Sequence, residues 1–273
     1  MLSNFLVSQG SFVAKTSPTG SGILPTGSTA QRDGSPSSGY IRFNSDDTAF
    51  EGYNGSAWSA IGGGDTSGIV GVSTFTSSGT WTKATREAAL GVTIKRVIVE
   101  VQGGGGAGGS FYYDGLPYAA GSGGSGGYAK KLIDVSSISS STITVGAAGT
   151  GALYQTGGTG GSSIWSDGTN TITCTGGSGG IYGNNASTNG GTGGTATGGD
   201  LNIDGQDGSW RAELPGGSIY GHAGQTASFT NNSTSVVYGD AQGYGAGGRG
   251  KSVSTGPGAD GAPGIVIVTE IAG

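Results

Sequence analysis

"RVIVEVQGGGGAGGSFYY", Arg96 to Tyr113, changes character in its middle. Its first half is written in β-branched residues and reads as a strand. Its second half is a glycine run that ends in three aromatics. Such a run suits two quite different structures, a loop that cradles phosphate or a backbone that packs directly on other backbone. The rest of the chain decides between them. Glycine supplies 63 of the 273 residues, about 23% against roughly 7% in an ordinary protein. Glycine loses the most backbone entropy on folding and buries no side chain. A chain this rich in it either stays disordered or satisfies its backbone by dense hydrogen bonding. With 11 Tyr, 7 Phe and 4 Trp and only 11% charged residues, the composition opposes disorder.

The glycines are ordered. The unit GGxGG occurs at 105–109, 123–127, 157–161, 176–180 and 190–194, with uneven spacing between units. Within each unit glycine sits at i, i+1, i+3 and i+4, a local period of three. That is the period of a polyproline II helix, and glycine at the repeated positions lets such helices approach backbone to backbone. Strict collagen periodicity is never sustained and Pro totals only 7. Strands separate the glycine blocks: "STFTSSGTWTKAT" (73–85), "TIKRVIVEV" (93–101), "STITVG" (141–146), "TNTITC" (169–174), "TSVVY" (234–238) and "PGIVIVTEI" (263–271). "TREAALG" (85–91) is barely two turns long and is not expected as a helix. The fold class is therefore all-β. It comprises an extended arm over residues 1–38, a three-stranded β module over 39–66, and a glycine-rich domain with packed polyglycine II-like segments over 67–273. In the module, Asn54-Gly55 between two apolar runs predicts a type I′ hairpin. Trp58 and Trp81, both in strands, are expected in cores.

Several motif matches fail on context. "GGGAGG" (104–109) fits the dinucleotide fingerprint and follows a strand, but "SFYYDGLPYAAG" cannot supply the helix that holds a pyrophosphate. "GAGGRGKS" (245–252) fits the phosphate-binding loop letter for letter, yet "VSTGPGADGAPG" follows it in place of a helix. "GGSGG" at 123–127 and 176–180 matches a nucleophile elbow, but the single histidine, His222, reads as a loop residue. No carboxylate pair is nominated for glycoside hydrolysis. No enzymatic activity is expected, and no cofactor apart from calcium. "DLNIDGQDG" places Asp200, Asn202 and Asp204 at calcium-loop spacing, although the twelfth position is Arg211 rather than Glu. The other reading of the same residues is a strand with Leu201 and Ile203 inward that ends in an Asp204-Gly205 turn.

A net charge of −5 without any basic cluster argues against nucleic acid. "MLSNFLVSQGSFVAKTS" has neither a basic leader nor an unbroken apolar run, so no membrane insertion is expected and folding is expected in a cytoplasm. The lone Cys174 leaves no disulfide scaffold.

Residues 24–63, "LPTGSTAQRDGSPSSGYIRFNSDDTAFEGYNGSAWSAIGG", resemble a segment of tailed-bacteriophage tail fibres in which "G-IRYN-D---FEGY-G--W" recurs. "FTSSGTWTK" (75–83), "VIVEVQGGGGAGG" (97–109) and "GADGAPGIVIVTE" (258–270) resemble the glycine-rich domain that ends such fibres and adhesins. The family's "TWTKPAGV" is replaced here by "TWTKATREAALGV". The resemblance implies a virion protein made in the host cytoplasm and assembled as a homotrimer. Its N-terminus would join other virion tail or fibre proteins, and its distal loops would meet a host cell-surface glycan or protein receptor. A head or neck appendage fibre and a polysaccharide-degrading tailspike are the alternatives. The aromatics between glycine blocks are the receptor-contact candidates: Phe111, Tyr112, Tyr113, Tyr118, Tyr154, Tyr182, Trp210, Tyr220 and His222. Tyr and Trp offer large amphipathic contact area at low entropic cost. The competing reading is that they cover the edges of the slab or fill subunit contacts.

Overall fold

The computed structural model describes residues 14–15, 22–61, 68–111, 119–183, 189–210, 214–223, 226–227, 237–251 and 256–273. The chain forms two compact units, Met1–Asp65 and Thr66–Gly273.

In the first unit, β1 (Ala14–Lys15) pairs with β2 (Gly22–Ile23). A four-stranded sheet follows, in the order β3 (Thr26–Gly27), β4 (Ile41–Asn44), β5 (Ala49–Tyr53), β6 (Trp58–Ala60). The module therefore starts earlier than residue 39, because β3 adds a parallel strand to β4. The segment behind it is fastened by Arg32, whose guanidinium grips the Glu51 carboxylate. Glu51 also accepts from Asn44 Nδ2 at 3.2 Å and lies 3.3 Å from Arg42 Nε. The β5–β6 turn departs from type I′. Only Gly55 has positive φ (100°), while Asn54 keeps an ordinary φ and its Oδ1 accepts from Ser56 N and Ala57 N. An Asx turn of this kind needs left-handed backbone at one position instead of two. Trp58 is half-buried, with its ring 5.6 Å from that of Tyr53.

The second unit begins as two stacked antiparallel sheets. One has the order β15 (Leu201–Ile203), β10 (Tyr128–Asp134), β9 (Ile94–Gln102), β20 (Ile265–Ala272), β7 (Gly68–Phe75). The other has the order β14 (Ala196–Thr197), β13 (Thr171–Cys174), β12 (Ser163–Ser166), β11 (Ser140–Thr144), β8 (Gly79–Thr82). Alternation along β9 sends Val97, Val99 and Val101 inward against Trp81, Ile143, Trp165 and Ile172, all at most 1% exposed. The Trp81 and Trp165 rings lie 5.7 Å apart. Interdigitated inner faces of this kind make the core of a sandwich. Two further small pairs are β16 (Gly221–His222) with β19 (Gln242–Gly243), and β17 (Thr226–Ala227) with β18 (Val237–Tyr238).

An α-helix, α1 (Lys83–Leu90), stands where none was expected. Two turns are marginal alone, so tertiary contacts must hold it. Arg86 reaches Glu270 on β20, Leu90 packs on the core, and Gly91 ends the helix at φ 70°.

Beyond the sheets the chain continues as ten glycine segments among the described residues: I (103–110), II (119–127), III (146–151), IV (157–162), V (175–183), VI (189–195), VII (204–209), VIII (214–217), IX (245–251) and X (256–264). Each direction change of a threefold helix meets a different neighbour. In segment I the amides of Gly103, Gly106 and Gly109 donate to II, those of Gly104 and Ala107 to IV, and those of Gly105 and Gly108 to X. Its carbonyls accept from III, V and IX. Segment II is likewise ringed, donating to V, VII and IX and accepting from I, VI and VIII. The bonding pattern resolves into three layers, IV–V–VI over III–I–II–VII over X–IX–VIII. Residues 103–110 and 120–127 are buried without exception.

This arrangement explains the GGxGG unit. In the outer layer only every third residue faces solvent, and in segment VI those are the exposed Asn189, Thr192 and Thr195. The other positions face backbone, where a Cβ has no room. One added at Gly191 would lie 1.9 Å from Ser178 O. The polyglycine II geometry has no internal hydrogen bonds, so the lattice satisfies the backbone between segments.

Cys174 ends β13 at the foot of segment V, fully buried, and its Sγ donates to Val101 O at 3.2 Å. Burial pushes its thiol pKa up to about 12. The native protein is therefore expected to resist thiol reagents at neutral pH and to react in step with global unfolding. Stoichiometric labelling under native conditions would contradict the packing described.

Candidate functional site

Odd-numbered segments run away from the sheets and even-numbered ones run back, so among the described residues the segment ends distant from the sheets gather at one end of the lattice. Ser110, the last residue of segment I, organises that end. Its N–H donates to Gln155 O at 3.0 Å, its Oγ donates to Gly256 O at 2.9 Å and accepts from Tyr154 N at 2.9 Å, and its carbonyl accepts from Gly183 N at 3.0 Å. One buried residue, through its side chain and its backbone, thus joins the ends of segments V and X and the link between III and IV, which fixes their relative positions. Tyr154 is held at φ 55°, unusual for a side-chain-bearing residue, with its amide engaged by Ser110. The turn from VII to VIII is closed by Ser209, whose N–H donates to Leu214 O and whose Oγ accepts from Leu214 N.

Among the described residues, five large apolar side chains face outward here, beside the exposed polar Thr150, Gln155, Thr156 and Asn189. Leu153, Tyr154, Ile181, Trp210 and Leu214 are 48, 41, 41, 51 and 70% exposed. Exposed large apolar groups on a rigid frame mark interaction surfaces more often than scattered single ones do. Lys251, at the end of segment IX, is the cation of this end among the described residues, and burial holds its pKa below the usual lysine value.

Residues 76–270 match the glycine-rich domain family. The chain belongs to that family. No curated protein matches it.

The glycine-rich domain divides the nine aromatic and histidine candidates. Tyr154, Tyr182 and Trp210 lie at the turn end, Tyr182 half-buried with its amide donating to Thr156 Oγ1. Phe111 lies there too but is 1% exposed and bridges to Gly183, so it closes the end of the lattice and is not presented for contact. Tyr112, Tyr113 and Tyr118 lie outside the described residues. Tyr220 sits at the opposite end, where its hydroxyl donates to Glu100 Oε1 at 2.8 Å beside Tyr128. Segment I alone sets the two ends about 25 Å apart. Burial and the Glu100 carboxylate push the Tyr220 pKa up to about 12, a sign of a structural clasp. His222 is exposed in β16, paired with Gln242. Leu153, Ile181 and Leu214, which are not aromatic, stand exposed at the same end. A signal for them exists, since each is an apolar residue where a glycine block gives way to a turn.

The calcium candidates are not brought into one shell. Asp200 Oδ2 accepts from Leu132 N, Asn202 Oδ1 from Gly199 N and Asp204 Oδ1 from Ala196 N, three separate backbone partners. Among the described residues no group of three or more His, Cys, Asp or Glu is placed to hold a metal ion. The strand alternative also needs correcting, because Leu201 and Ile203 are 48 and 41% exposed. β15 is the edge strand of its sheet. The two phosphate-type motifs are lattice. The amides of Gly104–Gly109 and of Gly245, Gly247, Gly248 and Lys251 all donate to neighbouring segments. No helix among the described residues is long and apolar enough to cross a membrane.

Proposed function

We propose that this protein is a bacteriophage virion fibre component whose glycine lattice presents its turn end to a host cell surface and binds it without enzymatic chemistry. The observation that carries this reading is the apolar set Leu153, Tyr154, Ile181, Trp210 and Leu214, held exposed at the end of a backbone-bonded block. A lattice whose interior takes only small residues, mostly glycine with buried Ala107, Ser122, Ser125 and Ala246, confines large side chains to outward positions and turns, which suits a receptor-binding tip on a rigid scaffold. The resemblance of residues 24–63 to tail-fibre segments supports the virion assignment.

Purified protein added to host bacteria is expected to compete with phage adsorption. Trp210→Ala and Leu214→Ser together are expected to weaken that competition at least tenfold, the effect of removing central apolar anchors, with the melting transition retained. Absence of competition by the unsubstituted protein would overturn the reading, and release of reducing sugar from host polysaccharide would replace it with the tailspike alternative.

A further inference from the structure

The IV–V–VI layer of the glycine lattice carries no charge. Among the described residues the charged side chains of the ten segments are Asp204 and Asp207 in VII, Arg249 and Lys251 in IX, and Asp260 in X, and segments IV, V and VI have none. Their outward positions bear hydroxyls instead, and these fall in register. Gly160 N donates to Gly177 O and Gly157 N to Gly180 O, which sets Thr159 beside Ser178 and Ser162 beside Thr175. Ser178 N donates to Thr192 O and Thr175 N to Thr195 O, which completes two rows of three. The Ser178 and Thr192 hydroxyls lie 2.9 Å apart, and those of Thr175 and Thr195 3.2 Å apart. The columns run on into β12, β13 and β14, where Ile164, Thr173 and Thr197 form the next row. The layer is held flat from beneath. Segment IV accepts from Gly104 N and Ala107 N, V donates to the carbonyls of the same two residues, and VI donates to Ser122 O and Ser125 O. Backbone fixed at this many points cannot take up the twist of a free sheet.

We propose that this face binds ice. Its chemistry turns other partners away. It has no basic group for nucleic acid or for a lipid headgroup, and its two hydroxyl rows hold no aromatic or Arg to anchor a protein. What it offers is a fixed array of donors, acceptors and methyl groups. Hydrogen-bonded neighbours lie about 4.8 Å apart, close to the second-neighbour oxygen spacing of hexagonal ice, and outward positions recur about every 9.3 Å along each threefold helix. Water above such a face has no ion to turn towards. Beside each methyl it keeps its bonds to other water, while the hydroxyls hold that layer in place. In the Ser178–Thr192 pair one hydroxyl proton is shared and the other is left for solvent. This inference goes beyond the receptor reading and does not depend on it, since it concerns a flank of the lattice and not its turn end.

The test is the partition of the full 273-residue chain between a slowly growing ice front and the remaining liquid. The unsubstituted protein is expected to be enriched in the ice. Thr159→Lys with Thr192→Lys is expected to lower that enrichment at least tenfold, because a charge laid against a crystal must shed its hydration. Both residues are exposed, so the melting transition is expected to be retained. Thr150→Lys places the same charge on an exposed position of segment III, outside the layer, and is expected to leave partition unchanged. Trp210→Ala is also expected to leave it unchanged, which separates this inference from the adsorption reading. Exclusion of the unsubstituted protein from ice, or an equal loss in Thr150→Lys, would overturn the proposal. Exclusion from ice together with retention on insoluble cellulose would give the face to a neutral polysaccharide instead.

Discussion

Gly105→Ala is expected to destabilise the glycine-rich domain by more than about 3 kcal/mol, beyond the usual range for an added methyl group. Gly105 lies in the ringed segment I, and a Cβ built on it falls 1.8 Å from Ala246 O and 2.3 Å from the carbonyl carbon. No rotamer change relieves that contact, because both partners are backbone. Segment IX would have to move away, and it is held by Gly245 N to Pro263 O at 2.7 Å, Ala262 N to Ala246 O at 2.8 Å and Gly126 N to Gly245 O at 2.9 Å. Displacement therefore spreads through several segments. The comparison variant is Gly217→Ala, where the added Cβ meets only Gln206 Oε1, the far end of a flexible side chain, at 3.3 Å. That change is expected to stay within about 0.5 kcal/mol. Thermal unfolding followed by circular dichroism reads both, with a shift of about 6 to 12 °C expected for the first. Equal melting temperatures for the two variants would refute the lattice.

The second large effect centres on Glu270, which continues the inward face of β20 after Val266 and Val268 and is fully buried. Its carboxylate accepts from Arg86 Nε at 2.7 Å, Arg86 Nη2 at 3.0 Å, Ser73 Oγ at 2.6 Å and Trp81 Nε1 at 3.1 Å. Glu270→Ala leaves these donors without their acceptor and is expected to cost about 3 to 5 kcal/mol. Replacing Glu270 and Arg86 together by methionine is expected to recover much of that loss, since a buried ion pair often contributes little more than an apolar pair of similar volume. Burial pushes the Glu270 pKa up, but the hydrogen bonds from Arg86, Ser73 and Trp81 outweigh it, leaving the pKa below its ordinary value. A depressed folded-state pKa means stability that is present above the unfolded-state value and lost as pH falls through the folded one. Stability is thus expected to decline on acidification below the ordinary carboxylate range, and to decline less steeply in the double-methionine variant. Identical acid profiles for the two proteins would show that Glu270 is not the group responsible.

Both predictions bear on how far this molecule can be read from its residues. The repeated strand-then-glycine order, as in Val97–Gly109, is a local pattern, and local patterns set backbone conformation. It was enough to establish an all-β chain, a period of three within GGxGG, and the failure of the phosphate-type motifs, each of which lacked a following helix. The candidate site was legible only in part. That turns between glycine blocks carry aromatics is visible in the sequence, but exposure is not, and it separates the buried Phe111 from the open Trp210 and Leu214. Tyr220 resembles the others in composition yet is drawn to Glu100 at the far end.

Which glycine segment lies beside which was decided only in three dimensions. Glycine segments offer their neighbours chiefly amides and carbonyls, with a few side chains such as Ser110, Ser122 and Ser125 bonding between segments, so little in a glycine block itself specifies the partner. The layer order comes from the two sheets that launch most of the segments and from the rigid geometry of the hydrogen bonds between them. The same holds for α1, whose eight residues are too few to be helical by propensity and are fixed by Arg86 reaching Glu270, 184 positions away in the chain. The sequence by itself determined the backbone period and where solvent-facing residues are permitted, because those depend on steric room next to each Cα. The tertiary structure decided the neighbours, the helix and the exposed set, because those depend on contacts between residues far apart in the chain.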